Sequence, residues 1–257
     1  MKRPKLHRLL LLGGCVAAGF VAALLFPALP AAVRALVQRL WARAALHVLG
    51  VTLASEGEPP RGGILLVANH VSWLDVLAIV AVCPAAFVCK QEIASWPALG
   101  WLLRRSGTLF MRRGSARAAW RAVGQIGPRL AGGSSVAVFP EATTTRGDAV
   151  LPFFPAMFQA AVNAQGVVQP VALAYSDAAG ARCREASYEG ETSFGESLLA
   201  IAQADGLNVT VSFLPAFAAA THCRRSAARR AHEMISSRIR HAGVAVRSCE
   251  LRTLRPA

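Results

Sequence analysis

An uncharged apolar run near the start of the chain limits most strongly how this sequence can fold. Leu9 to Phe26 is eighteen residues without a charged side chain, and four basic residues precede it: Lys2, Arg3, Lys5 and Arg8. As a helix, the run would span about 27 Å, close to the thickness of a bilayer hydrocarbon core. A soluble fold would have to bury it completely, and a signal peptide usually has a shorter apolar stretch of about 7–15 residues. We therefore favour a membrane helix over a core helix or a cleaved signal peptide.

The segment 31–50 follows Pro27 and Pro30 and has a different pattern. Six apolar residues fall on one helical face: Val33, Val37, Leu40, Trp41, Ala44 and Val48. Polar and basic residues lie away from that face: Arg34, Gln38, Arg39 and Arg43. This pattern predicts an amphipathic helix at a membrane surface. Basic residues flank both ends of the apolar run, so they do not choose between a full span and a shallow hairpin. We expect residues 1–50 to anchor the chain and residues 51–257 to form a separate domain.

Composition supports a membrane partner. Hydrophobic residues make up 54% of the chain, the mean hydropathy is +0.41, and 28 Lys and Arg outnumber 14 Asp and Glu. Apolar area and positive charge act together at an anionic membrane surface. Nucleic acid is the rival explanation for the charge, but no known nucleic-acid module is visible, so we expect no nucleic-acid partner.

The six cysteines form no CxxC pair and no zinc-type spacing: Cys15, Cys83, Cys89, Cys183, Cys223 and Cys249. Reduced thiols in a cytosol-facing protein are the favoured interpretation, and no metal site is expected.

From Gly62 onward, short apolar runs alternate with amphipathic helical patterns. This alternation predicts an α/β fold with a mostly parallel or mixed central sheet flanked by helices. Ligands of such sheets bind beyond the carboxyl ends of the strands. The predicted strands are 63–68, 85–89, 108–112, 135–139, 167–174 and 208–214, and the predicted helices are 72–83, 96–105, 115–131, 155–164 and 224–241.

Polar residues follow two of the predicted strands, with Asn69-His70 after the first and Pro140 to Thr143 after VAVF. A histidine can remove a proton from a hydroxyl at neutral pH, and a carboxylate on its far ring nitrogen fixes the tautomer. His70 and Asp75 have a suitable spacing, and Ser72 could cap the helix that carries Asp75. The alternative is that Asp75 only stabilises a helix N-terminus.

The wider pattern resembles the glycerolipid acyltransferases, the family of 1-acylglycerol-3-phosphate acyltransferases. Four blocks follow in family order: NHVSWLD (69–75), GTLFMRR (107–113), FPEAT (139–143) and QPVAL (169–173). The stretch Lys90-Gln91-Glu92-Ile93 is similar to a further family segment, and the resemblance covers about residues 62–215.

This resemblance implies an O-acyltransferase with an acyltransferase-type α/β sandwich. His70 would be the general base and Asp75 its orienting partner. Lys90 and Arg113, or Arg112 if the register of the block differs by one residue, would bind the anionic head group of the acceptor. Glu141 and Thr143 would contribute to the same site. The reaction would need no cofactor and no metal, with acyl-CoA or acyl-ACP (acyl carrier protein) as co-substrate. The enzyme would lie on the cytoplasmic face of the inner membrane.

Two departures from the family pattern leave the acceptor open. Ala142 replaces the glycine of FPEGT, and Thr144-Thr145 delays the next arginine to Arg146. The run TTTRGDAVLPFFPAMF resembles a branch that includes lyso-ornithine lipid acyltransferases. The acceptor is therefore expected to be 1-acylglycerol-3-phosphate, giving phosphatidate, or alternatively lyso-ornithine lipid. A non-catalytic lipid-binding membrane protein is the alternative of another class.

Overall fold

The computed structural model describes residues 6–59, 61–112 and 114–253, with side chains described as far as His241 except at Ala116. The helices are α1 (Leu6–Leu25), α2 (Ala31–Leu49), α3 (Leu74–Val82), α4 (Leu99–Arg105), α5 (Ala116–Ala131), α6 (Phe158–Asn163), α7 (Phe194–Gln203) and α8 (Arg224–Thr253). The strands are β1 (Val51–Glu56), β2 (Ile64–Ala68), β3 (Ala86–Lys90), β4 (Leu109–Met111), β5 (Val136–Val138), β6 (Val167–Ser176), β7 (Leu207–Phe213) and β8 (Phe217–Ala218).

These strands form one mixed sheet in the order β1-β7-β6-β2-β5-β3-β4, and β8 pairs with β6. Strands β6, β2, β5, β3 and β4 are parallel to one another, whereas β7 runs antiparallel to β6. The carboxyl ends of β2, β5 and β3 therefore share one edge. The residues that follow β2 and β5, and the last residue of β3, gather at that edge.

Helices cover both faces of the sheet because successive side chains of a strand point to opposite sides. In β2, Leu66 and Ala68 pack with α2 and α3, whereas Leu65 and Val67 pack with α5, α6 and α8. The predicted fold class, an α/β sandwich with a central mixed sheet, is confirmed.

Helix α1 is long and apolar enough to cross a membrane by length and composition, and only 17% of its apolar window is buried. Large apolar side chains on it are exposed, among them Leu10, Leu11, Val21, Leu24 and Leu25. A largely unburied apolar helix is typical of a segment that contacts lipid. These features support association with a membrane.

Helix α2 has two different apolar faces. Ala42, Ala45, Leu46 and Leu49 are buried, and none of them belongs to the predicted apolar face. Val33 and Leu40 of that predicted face are exposed instead, at 40% and 55%. The inner face packs on the domain, so an exposed apolar strip remains alongside α1.

Arg39 and Arg43 do not simply extend into solvent. Both donate hydrogen bonds from Nε to the carbonyl oxygen of Ala81, at 3.3 and 2.8 Å. That oxygen lies in the last turn of α3, where cations interact favourably with the helix dipole. These two arginines tie α2 to the α/β domain.

Three elements were not predicted from the sequence: β1, β8 and α7. Strand β1 lies at the edge of the sheet against β7, and Val51 is its one buried residue. Helix α7 begins with a capping box in which Ser193 accepts from the backbone of Glu196 and the Glu196 side chain accepts from Ser193. That Ser-x-x-Glu pattern is a recognisable start signal for a helix.

Candidate active site

The segment that follows β2 is held in place by Asn69. Its buried side-chain amide donates to the carbonyl oxygen of Leu173 (3.0 Å) and accepts from the backbone N–H of Leu173 (2.8 Å). Because Leu173 belongs to the neighbouring strand β6, this pair fixes the chain where β2 ends. His70 is thereby presented at the carboxyl edge of the sheet.

His70 and Asp75 are in contact. The His70 Nδ1 atom lies 2.7 Å from Oδ2 of Asp75, and the side chains are 16% and 0% exposed. With Nδ1 donating to the carboxylate, Nε2 is the ring nitrogen that can accept a proton. The predicted proximity of these two residues is present in the structure.

The imidazole ring of His70 also stacks on Phe139, with centroids 4.0 Å apart and the planes 10° from parallel. Phe139 in turn stacks near Phe87, at 5.9 Å. Stacking restricts rotation of the imidazole while the carboxylate restricts its tautomer. The imidazole of His70 is therefore held on one face by Phe139 and at its Nδ1 edge by Asp75.

Asp75 is fully buried and its carboxylate receives four hydrogen bonds. Oδ2 accepts from His70 Nδ1 and from the backbone N–H groups of Val71 (2.7 Å) and Ser72 (3.0 Å). Oδ1 accepts from the hydroxyl of Tyr175 at 2.6 Å. Burying a carboxylate is costly unless such donors surround it, and here both oxygens are satisfied.

The predicted cap by Ser72 is wrong. Trp73 occupies the N-cap position of α3 without a side-chain hydrogen bond, and the buried Ser72 Oγ has no hydrogen-bond partner within the described residues. Asp75 donates its backbone N–H to the carbonyl oxygen of Ser72 at 3.1 Å, and its side chain accepts from the N–H groups of Val71 and Ser72, which precede the helix. Its carboxylate therefore organises both the helix start and the imidazole.

Tyr175 was not predicted as a site residue. It lies on β6, on the same face of the sheet as Leu173, and is 5% exposed. Burial, with the neighbouring Asp75 charge, raises the pKa of its phenol well above the ordinary value. Tyr175 thus acts as a neutral hydrogen-bond donor at neutral pH. A tyrosine two residues beyond the QPVAL block is the only sequence signal for it.

Glu141 is buried and bonded to backbone. Its Oε1 accepts from the N–H of His70 and its Oε2 from the N–H of Leu151, both at 2.8 Å. Burial raises the pKa of this carboxyl. The structure places Glu141 beneath His70, where it links the β2 and β5 segments.

Ala142 has a φ of 57°, in the left-handed region. An L-residue other than glycine is strained there by on the order of 1 kcal/mol. The glycine expected at this position of the family pattern would adopt this conformation freely.

The predicted acceptor-binding residues differ in their exposure, since Glu141 is buried and two others are exposed. Lys90 is exposed at the end of β3, on the shared carboxyl edge, and Thr143 is exposed in the loop after β5. Arg113 lies outside the described residues. Within the part of the chain that the structure describes, no group of three or more His, Cys, Asp or Glu is arranged to hold a metal ion.

Comparison with known proteins bears on what this arrangement does. The model of the acyltransferase family matches residues 51–174, which contain all four sequence blocks. A 1-acyl-sn-glycerol-3-phosphate acyltransferase from Neisseria gonorrhoeae is 39% identical over 173 residues, 67% of each chain. A lyso-ornithine lipid O-acyltransferase from Rhizobium meliloti is 34% identical over 220 residues, 79% of this chain and 75% of the relative. The chain belongs to the glycerolipid acyltransferase family.

Two further matches to this acyltransferase cover a shorter stretch or have a lower sequence identity. A lyso-ornithine lipid O-acyltransferase from Pseudomonas aeruginosa is 39% identical, but the match spans about half of either chain, 53%. The crystal structure of a 1-acyl-sn-glycerophosphate acyltransferase from Thermotoga maritima aligns with a TM-score of 0.61 over 87% of this chain and 81% of that one. At 20% identity, that structure supports the fold alone.

Proposed function

We propose that this acyltransferase moves a fatty acyl group from a thioester to the free hydroxyl of a lysolipid at a membrane surface. His70 is the general base and Asp75 its orienting partner in this proposal. The observation that carries it is the 2.7 Å contact between His70 Nδ1 and the buried Asp75 carboxylate, at the carboxyl edge of the sheet.

The geometry supports transfer of the acyl group from the thioester to the acceptor hydroxyl in one step of attack, without a covalent enzyme intermediate. Nε2 of His70 removes the proton of the acceptor hydroxyl, and the hydroxyl oxygen attacks the thioester carbonyl. The tetrahedral intermediate collapses, the carbon–sulfur bond breaks, and the leaving thiolate takes the proton back from the imidazolium. Asp75 stabilises the imidazolium while it exists.

The proposed acceptor is 1-acylglycerol-3-phosphate, with phosphatidate as the product. The gonococcal relative supports this choice, and Lys90, Arg113, Glu141 and Thr143 are the proposed acceptor-site residues. The roles are unequal, because Glu141 is already occupied by two backbone donors whereas Lys90 and Thr143 are exposed. A planar guanidinium at position 113 would suit a phosphate, and Lys90 would add a point charge.

Lyso-ornithine lipid is the second candidate acceptor. The Rhizobium relative aligns over a larger share of this chain than the gonococcal one does. In addition, Arg146 forms an ion pair with Glu189, so opposite charges lie together next to the site. Thr145 N–H donates to the His70 carbonyl oxygen and Tyr188 N–H to that of Val71, which ties both flanking loops to the His70 segment. A pair of opposite charges complements the zwitterionic head group of ornithine better than it complements a phosphate.

We further propose that residues 1–50 anchor the enzyme and that the catalytic domain faces the cytoplasm. The exposed apolar strips of α1 and α2 support the anchor. The acyl donor would then be a cytoplasmic thioester, either acyl-CoA or acyl-ACP, with no cofactor.

Replacement of His70 by Ala tests the proposal. Release of free thiol from an acyl thioester in the presence of lysophosphatidate should disappear, whereas membrane fractionation should be unchanged. His241→Ala, which removes an exposed histidine on α8, is the matched control and should keep full activity. Full activity of His70→Ala would remove His70 from the mechanism. Lipid binding without thiol release by the unaltered enzyme would favour a non-catalytic lipid-binding protein.

A further inference from the structure

Three helical segments on one side of the sheet carry no acidic side chains, and two of them carry basic ones. Helices α5 and α6 and residues 224–232 of α8 contain no Asp or Glu. Several arginines on these helices have partners: Arg129 donates to Gly107, Arg230 lies over Phe217, and Arg229 is 3.9 Å from Glu233. The other arginines of these helices, together with one tryptophan, form a surface that we call the basic face. It is made of Arg117, Trp120, Arg121, Arg224 and Arg225.

A tryptophan lies at the centre of the basic face. Trp120 is 52% exposed, and the guanidinium of Arg224 lies 5.5 Å from its ring centroid. Arg117 and Arg121 are one helical turn apart on α5 and flank the tryptophan. An exposed tryptophan surrounded by arginines is the composition found at the energetic centres of protein interfaces.

The basic face is turned away from the proposed membrane anchor. Helix α5 packs on one side of the sheet through Ala122, Val123 and Ile126. Helix α2 packs on the other side through Leu46 and Leu49. The sheet therefore lies between α5 and the helix hairpin that is proposed to hold the bilayer. This placement favours an anionic partner that arrives from the aqueous side over a lipid head group.

The basic face also lies within reach of the candidate active site. Helix α5 begins five residues after β4 ends, and β4 is parallel to β3 and, through β3 and β5, to β2. The first turn of α5 is thus close to the edge at which His70 stands. A partner bound at Arg117 and Trp120 could extend a flexible arm along this edge to His70.

We propose that the basic face docks an acidic acyl carrier protein, whose prosthetic arm delivers the acyl thioester to His70. This inference rests on the acyl transfer proposed above. Carboxylates on the carrier pair with Arg117, Arg121 and Arg225, and Trp120 packs against apolar side chains between them. Coenzyme A is small enough to enter the site alone and has no need of the outer surface of α5.

The double substitution Arg117→Glu, Arg121→Glu tests this surface. The control is Arg182→Glu, Arg184→Glu, which makes the same change of charge at two exposed arginines in the loop after β6. Each enzyme is placed in nanodiscs with lysophosphatidate and given palmitoyl-ACP or palmitoyl-CoA. Binding of purified holo-carrier protein to the same nanodiscs is measured separately by surface plasmon resonance at two salt concentrations.

The basic-face variant should lose about tenfold or more in kcat/KM with the carrier-protein donor and keep its rate with the coenzyme A donor. Carrier binding should weaken to a similar extent, and in the unaltered enzyme it should fall as salt rises. In the control variant, the ratio of the kcat/KM values for the two donors should be the same as in the unaltered enzyme. Equal losses with both donors, or unchanged carrier binding, would overturn the docking surface. If neither donor supports transfer while carrier binding still depends on Arg117 and Arg121, the proposed reaction fails and the docking surface stands.

Discussion

Tyr175→Phe is the sharpest test of how hydrogen bonds stabilise the buried carboxylate of Asp75. The change removes a single hydroxyl that donates to Oδ1 of Asp75 at 2.6 Å and leaves the aromatic ring in place. The other three donors all reach Oδ2, so Oδ1 would keep no partner among the described residues. Asp75 is 0% exposed and Tyr175 is 5% exposed, so bulk water does not readily replace the lost bond.

A hydrogen bond to a buried charged group contributes roughly 1.5–3 kcal/mol. We expect the free energy of unfolding of the variant to fall by about 2 kcal/mol. We also expect kcat to fall about tenfold, corresponding to about 1.4 kcal/mol, because the carboxylate that orients the imidazole can rotate. KM values for donor and acceptor should not change, since the hydroxyl is too deeply buried to contact either substrate.

Steady-state kinetics and urea unfolding of the detergent-solubilised enzyme measure these effects. Tyr188→Phe is the matched control, because it removes the only other tyrosine hydroxyl of the chain. Unchanged kcat in Tyr175→Phe would refute the reasoning. A rise in KM with constant kcat would show that Tyr175 acts on substrate binding instead.

Three further predictions concern strain, burial and thiol chemistry. Ala142→Gly should relieve a φ of 57°, raise the free energy of unfolding by on the order of 1 kcal/mol and raise the thermal midpoint by roughly 2–4 °C. Burial raises the pKa of Glu141 above 4.5, so the folded state binds this proton more tightly than the unfolded state does. The free energy of unfolding should therefore fall as pH rises from about 4.5 through the raised pKa, and Glu141→Gln should flatten that slope in denaturant titrations. Hydrogen bonding with Ser226 lowers the pKa of the exposed Cys223 to about 7, whereas burial raises those of Cys83 and Cys183 to about 11. Mass spectrometry after brief iodoacetamide treatment at pH 7.5 should find Cys223 alkylated well before the other two, and equal labelling of the three would contradict this.

The sheet and the His70–Asp75 contact could be predicted because their signals are local. His70 and Asp75 are five positions apart, and both lie where an apolar strand passes into a helix. Tyr175 is one hundred positions from Asp75 and meets it through the register of β6 against β2, which short-range patterns do not specify.

The misassigned features have equally physical reasons. Ser72 is a good capping residue in isolation, but the Asp75 N–H that its hydroxyl would have accepted donates to the Ser72 carbonyl oxygen instead. Strand β1 is an edge strand with a single buried residue, so its alternation is weak. The buried face of α2 is made of Ala42, Ala45, Leu46 and Leu49, whereas Val33 and Leu40 of the predicted face remain exposed.

A double-mutant cycle on His70 and Asp75 tests the central claim most directly. The single-turnover rate of acyl transfer is measured for the unaltered enzyme, His70→Ala, Asp75→Asn and the double variant, after circular dichroism has confirmed that each is folded. If Asp75 acts only through the imidazole, the double variant should be no slower than His70→Ala alone. Losses that add, or transfer that persists without His70, would contradict a mechanism in which one oriented imidazole activates the lipid hydroxyl.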